Sequence, residues 1–326
     1  LGDVYKRQIK ETDPVRLHGY TSAQGDMAVR AKIAGSIEKR FGFPANKDLI
    51  YMTCGAAASL TVTLNALVNS GDEIIIPAPF FPEYCVFAEN AGARVVTVMC
   101  REPDFQLDIK AIESAVNEKT KAIIINSPNN PTGAVFSPDT IKALSDMLVR
   151  KQAEYGTDIY IIADEPYREL SYGAEVPYIP KYYANTAVCY SYSKSLSLPG
   201  ERIGYIFIPE SANNSKKLYA AVCGAGRALG FVCAPSLMQY TVAECTDALP
   251  DISTYKKNRD LLFGALTDYG YKAVAPDGAF YLFVKSPEPD ANAFCERAKK
   301  YELLLVPSDD FGCPGYVRTV SYTHLR

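Results

Sequence analysis

Histidine is almost missing from this chain: His18 and His324 are the only two in 326 residues. Nine cysteines are scattered without a single C-x-x-C pair, so the ligand sets of zinc sites are absent and the thiols are expected to be reduced. No apolar run approaches the roughly 20 residues that cross a bilayer. The N-terminus also lacks the charged, apolar, small-residue order of a signal peptide. A cytoplasmic address and no membrane contact are therefore expected. The net charge of −3 leaves no basic excess that would draw nucleic acid. What is present is a chain with 48% hydrophobic residues, enough for a large core, and a length that suggests one large domain with a smaller one.

The stretch around which the rest is organised is V-C-Y-S-Y-S-K-S-L-S-L-P-G-E-R-I-G-Y at 188–205. An apolar run enters it, Lys194 sits among serines where the run ends, and Arg202 follows eight residues later beside glycines. Lysine forms Schiff bases with carbonyls once a desolvated or cationic surrounding has partly deprotonated its amine. Serine hydroxyls and an arginine fork suit a phosphate dianion. Together they describe a place to hold a phosphorylated aldehyde.

Other short apolar runs end in polar or small residues. Residues 49–53 read as a strand that turns through C-G-A-A-A-S into a helix carrying Leu60, Leu64 and Leu67. Small residues at a helix start leave backbone N–H groups bare to an anion. The turn is not G-x-G-x-x-G, which argues against a dinucleotide fold. A strand at 73–77 leads into A-P-F-F-P-E-Y, a strand at 122–125 into N-S-P-N-N-P-T-G, and a strand at 160–163 into D-E-P-Y. An acid just past a buried strand is costly unless it meets a cation or hydrogen-bond donors. Helices are expected between these runs, at 26–41 with Gly42 as its stop, at 109–116 and at 137–151. Such alternation predicts an α/β fold with a mainly parallel sheet. In such sheets ligands bind outside the carboxyl ends of the strands. Beyond residue 208 the pattern changes to helices at 215–226 and 235–265. It ends in strands at 272–274, 279–284 and 303–306, a helix at 292–301, and G-Y-V-R at 315–318.

S-x-S-K-x-x-x-x-P-G-x-R-x-G-Y, N-x-P-x-N-P-T-G and D-E-x-Y resemble the signatures of the class I/II aminotransferases, the fold-type I enzymes dependent on pyridoxal 5′-phosphate. The resemblance runs from about Tyr20 to Arg318. It implies that Lys194 carries the cofactor as a Schiff base and that Ser191, Arg202 and the turn Gly55, Ala56 and Ala57 hold the phosphate. It further implies that Phe81 stacks on the ring, that Asn130 and Tyr167 meet the phenolic oxygen, and that Asp164 keeps the ring nitrogen protonated. Arg318 would clamp the substrate α-carboxylate, a task for which lysine is a poor substitute. Asn130 would also face the substrate. Tyr20, in Y-x-x-x-x-G, would reach the phosphate of the neighbouring subunit of a homodimer, and Arg227 a distal carboxylate across the same interface.

The activity implied is ping-pong transfer of an amino group between an L-amino acid and a 2-oxo acid. Carbon–sulfur lyases and decarboxylases share the cofactor residues, and some transcriptional regulators carry a domain of this kind, so both stay open from the residues alone. The expected division is a large cofactor-binding domain at 9–255 and a small C-terminal domain at 256–319. The ends are expected to be foreign. Residues 3–8 back-translate into a DNA string whose reverse complement encodes residues 320–324, and the string resembles a transposase end sequence. Segments 1–8 and 320–326 are accordingly read as non-native tails on a protein shortened at both ends.

Overall fold

The computed structural model describes residues 2–321. The tail proposed from residue 320 onward therefore falls, from 322 and including His324, outside the described residues.

In chain order the elements begin with helices α1 (Gly2–Glu11), α2 (Pro14–His18) and α3 (Met27–Phe41). Strand β1 (Ile50–Thr53) leads to α4 (Ala56–Leu67), then β2 (Glu73–Ala78), α5 (Glu83–Asn90), β3 (Arg94–Met99) and α6 (Ile109–Ala115). Next come β4 (Thr120–Asn126), α7 (Pro138–Tyr155), β5 (Tyr160–Asp164), β6 (Thr186–Ser191), the single turn α8 (Tyr192–Ser195) and β7 (Gly204–Phe207). The chain ends with α9 (Ser215–Ala228), α10 (Ser236–Ala243), α11 (Ser253–Asp268), β8 (Tyr281–Lys285), α12 (Ala291–Lys299), β9 (Val306–Pro307) and β10 (Tyr316–Val320).

Seven strands form one sheet in the order β1-β7-β6-β5-β4-β2-β3, in which β7 alone runs against its neighbours. β2, β5 and β6 are buried at every position, as strands covered by helices on both faces must be. One face packs Ile74, Ile76, Ile124 and Ile162 with Leu60 and Leu64 of α4 and Val222 of α9. The other packs Ile75, Ile123, Ile125 and Ile161 with Leu144 and Leu148 of α7. Alternation along each strand thus splits one isoleucine-rich run between two cores. A second sheet, β8-β10-β9, is antiparallel and packs Leu282, Val284 and Val317 against α11 and α12 through Leu262, Leu266 and Cys295.

The helix expected at 26–41 forms as α3 and ends at Gly42 as expected. Asp26 accepts hydrogen bonds from the backbone N–H of Ala28 (2.8 Å) and Val29 (3.1 Å), and Gly42 closes the other end with φ 56°. Its four-residue spacing buries Val29, Ile33 and Ile37. Elsewhere the structure departs from expectation. The continuous helix expected over 235–265 is two helices, α10 and α11, separated by a loop containing Pro250, whose ring disfavours helix at the residue before it. The strand at 272–274 is only an isolated bridge from Ala273 to Val284. Its neighbour at 303–306 shrinks to Val306–Pro307, which pair with Arg318 and Val317 of β10.

Candidate active site

β4, β5 and β6 end side by side, with Asn126 opposite Asp164 and Asp164 opposite Cys189 in register. Their carboxyl ends, together with the start of α4 and the loops after β2 and β6, enclose a cavity of about 210 Å³. Ala56, Ala57, Phe81, Asn130, Asp164, Tyr167, Ser191, Lys194 and Arg202 all line it. Nine expected site residues, dispersed over 147 positions of sequence, thus meet in one cavity.

One end of the cavity is built for an anion. α4 begins at Gly55 with no side-chain cap, so its first N–H groups are left for another acceptor. Gly55 has φ 89°, and a Cβ there would stand 3.1 Å from Nη2 of Arg202, so the glycine makes room for the guanidinium. Arg202 itself is held in the left-handed region, φ 55°, and donates from Nη1 to the carbonyl of Pro199 at 2.7 Å. Ser191 Oγ accepts from the backbone N–H of Ser193 at 3.2 Å and donates to its hydroxyl at 2.8 Å.

Another part of the lining is suited to a cation or a strong donor. Asp164 is 4% exposed. Its Oδ2 accepts from the Tyr84 hydroxyl at 2.5 Å and more distantly from Nδ2 of Asn126 at 3.4 Å. Oδ1 is buried and has no hydrogen-bond partner among the described residues. Burial pushes the carboxyl from its ordinary 3.8 up to about 7, with the Tyr84 hydrogen bond opposing and Glu165 adding to the rise. Oδ1 is thus open to a donor that the described residues do not supply.

Lys194 lines the same cavity, and its amine is made less basic first by burial and then by the Arg202 charge. Its Nζ lies 5.4 Å from the centre of the Phe280 ring. Asn130 is fixed from two sides: its N–H donates to Oδ1 of Asn126 at 2.8 Å, and its Oδ1 accepts from Nη1 of Arg318 at 3.1 Å. Arg318 is sandwiched between Tyr281 at 5.0 Å and Phe311 at 4.8 Å. Its Nε is buried without a partner among the described residues. Tyr167 shares a 2.7 Å hydrogen bond with Tyr281, and burial raises its phenol well above 10.

The structure separates the two adjacent phenylalanines. Phe81 faces the cavity and meets Tyr84 edge to face at 5.6 Å, whereas Phe80 is buried in the core beneath α4. Four expected residues do not line the cavity: Gly55 and Arg318 stand just behind it, against Arg202 and Asn130, while Tyr20 and Arg227 are not brought to it in their own chain. Tyr20 is 99% exposed, and Arg227 is exposed on α9. The sequence alone assigns no role to Tyr84, Asn126, Ser193 or Tyr281. Asn126 is signalled as the first residue of N-x-P-x-N-P-T-G; Tyr84 and Tyr281 are single tyrosines among 23 and carry no local mark.

Comparison with known proteins gives the family of the chain. The family model "Aminotransferase class I and II" matches residues 1–324. An aminotransferase structure from Eubacterium rectale superposes with a TM-score of 0.96 at 55% identity, over 98% of this chain and 81% of that one. The aspartate aminotransferase structure of Thermotoga maritima gives a TM-score of 0.88 at 29% identity, over 99% of this chain and 84% of that one. A probable aspartate aminotransferase of Methanocaldococcus jannaschii is 30% identical, over 92% of this chain and 80% of its own length. With the lysine, the buried aspartate and the anion end gathered at the carboxyl edge of a mainly parallel sheet, the chain belongs to the class I and II aminotransferases, enzymes that transfer an amino group between an amino acid and a 2-oxo acid.

Proposed function

We propose that this aminotransferase uses pyridoxal 5′-phosphate held in the cavity around Lys194. The observation that carries the reading is the unpartnered, buried Oδ1 of Asp164 in the same cavity as the desolvated Lys194. Bound there, the cofactor supplies an aldehyde for amine exchange and a protonated ring that draws electron density from the substrate Cα. The phosphate is bound by the N–H groups of Gly55, Ala56 and Ala57, by Ser191 and by the Arg202 guanidinium. Phe81 packs on the ring face. Asn130 and Tyr167 hold the phenolic oxygen, and Asp164 holds the proton on the ring nitrogen. Lys194 would hold the aldehyde carbon and, as a free amine, would take the proton from the substrate Cα. Arg318 grips the α-carboxylate, which sets the direction of the Cα–H bond and converts binding into orientation.

Two residues complete the site from a second copy of the chain. Tyr20 supplies a further phosphate ligand, and Arg227 meets a distal substrate carboxylate. The exposure of Tyr20 on its own chain supports this reading. In the same reading 9–255 form the large domain, 256–319 the small one, and the enzyme is cytoplasmic.

The test is to load the purified protein with pyridoxal phosphate, reduce with borohydride and map the labelled peptide. Label on Lys194 is expected, and label elsewhere or none would overturn the assignment. Turnover is then assayed with a panel of amino donors against 2-oxoglutarate and pyruvate. Keto acid-dependent amino transfer is expected; release of ammonia or carbon dioxide without a keto acid acceptor would favour a lyase or decarboxylase.

A further inference from the structure

The two oxygens of Asp164 have different surroundings. Oδ2 receives the Tyr84 hydroxyl at 2.5 Å and Nδ2 of Asn126 at 3.4 Å; the same Nδ2 also donates to the Asp164 backbone carbonyl at 3.0 Å. Oδ1 receives nothing from the described residues. Tyr84 comes from α5 and Asn126 from the end of β4, so two separate elements converge on one oxygen. Tyr84 is 2% exposed, and its phenol is pushed well above 10 by burial and by the neighbouring carboxylate, so it stays protonated and acts as a donor. Asn126 has a second tie: its Oδ1 accepts from the N–H of Asn130, which keeps the amide plane from turning and fixes which end faces Asp164.

We propose that Tyr84, assisted by Asn126, is a positioning residue that commits Oδ2 of Asp164 to the protein and keeps Oδ1 as an ionised acceptor for the ring nitrogen of the cofactor. This rests on the reading that a pyridine ring occupies the cavity. A hydrogen bond to the charged form of a buried acid favours that form. Without the Tyr84 donor the carboxylate becomes more basic, and a proton shared with the ring nitrogen moves toward Asp164. The ring then loses the positive charge that makes it an electron sink. The other ionisable groups around Asp164 do not replace the donor. Glu165 raises its affinity for protons, while Tyr167 on the following loop and Cys189 on β6 are buried and held neutral well above their ordinary ranges.

The experiment has two arms. In the first, the protein without cofactor carries aspartate labelled with carbon-13 at the side-chain carboxyl, and Asp164→Asn identifies the Asp164 resonance. The titration midpoint should rise by about one unit, a tenfold change in proton affinity, in Tyr84→Phe. A folded Tyr84→Phe with an unchanged midpoint overturns the proposal. If that variant does not fold, 3-fluorotyrosine at position 84, a stronger donor in the same shape, should lower the midpoint, and an unchanged midpoint overturns it equally. In the second arm, pyridoxal phosphate labelled with nitrogen-15 in the ring is bound to each protein. The nitrogen should be protonated in the unmodified enzyme and shift toward the unprotonated value in Tyr84→Phe. Equal shifts in the two proteins overturn the positioning role. Failure of the unmodified protein to bind the cofactor would sink the cofactor reading instead, while the first arm would still report on Tyr84.

Discussion

Arg168→Met should be among the most damaging single changes outside the cavity, and its cost can be worked from the buried ion pair it breaks. Arg168 is 6% exposed and meets Glu165, 3% exposed, through two nearly parallel hydrogen bonds of 2.7 and 2.6 Å. It also donates to the carbonyls of Val176 at 3.0 Å and Pro177 at 2.8 Å, and its guanidinium lies over the rings of Phe41 and Tyr178 at 5.2 and 5.3 Å. Methionine keeps apolar contact with the stacked rings of Phe41 and Tyr178 but leaves the Glu165 charge buried without a cation. Breaking such a pair from one side costs about 3–5 kcal/mol. With unfolding entropy of about 2.1 cal/mol/K per residue, a chain of 326 residues loses roughly 1.5 °C per kcal/mol, so Tm should fall by about 4–7 °C. The companion Glu165→Leu with Arg168→Met removes both charges and should recover more than half of the loss, because the larger part of it is an uncompensated charge rather than a lost attraction. Calorimetry on the three proteins measures this. A single variant within about 1 kcal/mol of the parent, or a double variant no better than the single, would refute the reasoning. The loop that Arg168 ties down carries Tyr167 into the site, so the single variant should also lose turnover.

Asp164→Asn should keep the cofactor but lose roughly 10²- to 10³-fold in turnover, the scale of one preorganised electrostatic partner, and saturating cofactor should not restore it. Stability should depend on pH through the same group. Burial holds its folded value at about 7 against 3.8, so its contribution to the cofactor-free protein is complete below about pH 4 and declines as pH rises to 7, by on the order of 4 kcal/mol. Urea midpoints at pH 4.5 and 7.5 should differ less in Asp164→Asn than in the parent; an equal difference would contradict the assignment. Tyr20 is tested by refolding Lys194→Ala and Tyr20→Ala chains together. If Tyr20 serves the other subunit, mixed dimers hold one site with both defects and one with neither, and activity rises above both parents; no rise would remove the borrowed ligand.

The residues whose chemistry needs a special local backbone are legible in the linear sequence. N-N-P-T-G, D-E-P-Y and S-Y-S-K each sit where a buried strand stops, and strand, stop and polar residue can all be read within eight or nine positions. The parallel sheet is legible for a similar reason, since isoleucine-rich runs alternating with helices have few other ways to bury both faces. Helix α3 can be read to its ends because Asp26 and Gly42 satisfy its termini locally. What the tertiary structure alone decided is long-range. Tyr84 reaches Asp164 across 80 positions, and Tyr281 reaches Tyr167 across 114. The break at Pro250 and the shortened strands of the second sheet also emerged only there, where packing and ladder hydrogen bonds overruled short apolar runs. Local backbone demands are written in neighbouring residues and survive in a linear reading. A hydrogen bond between side chains from different elements leaves no mark on the sequence around either partner, because its geometry exists only once the sheet and its helices have assembled.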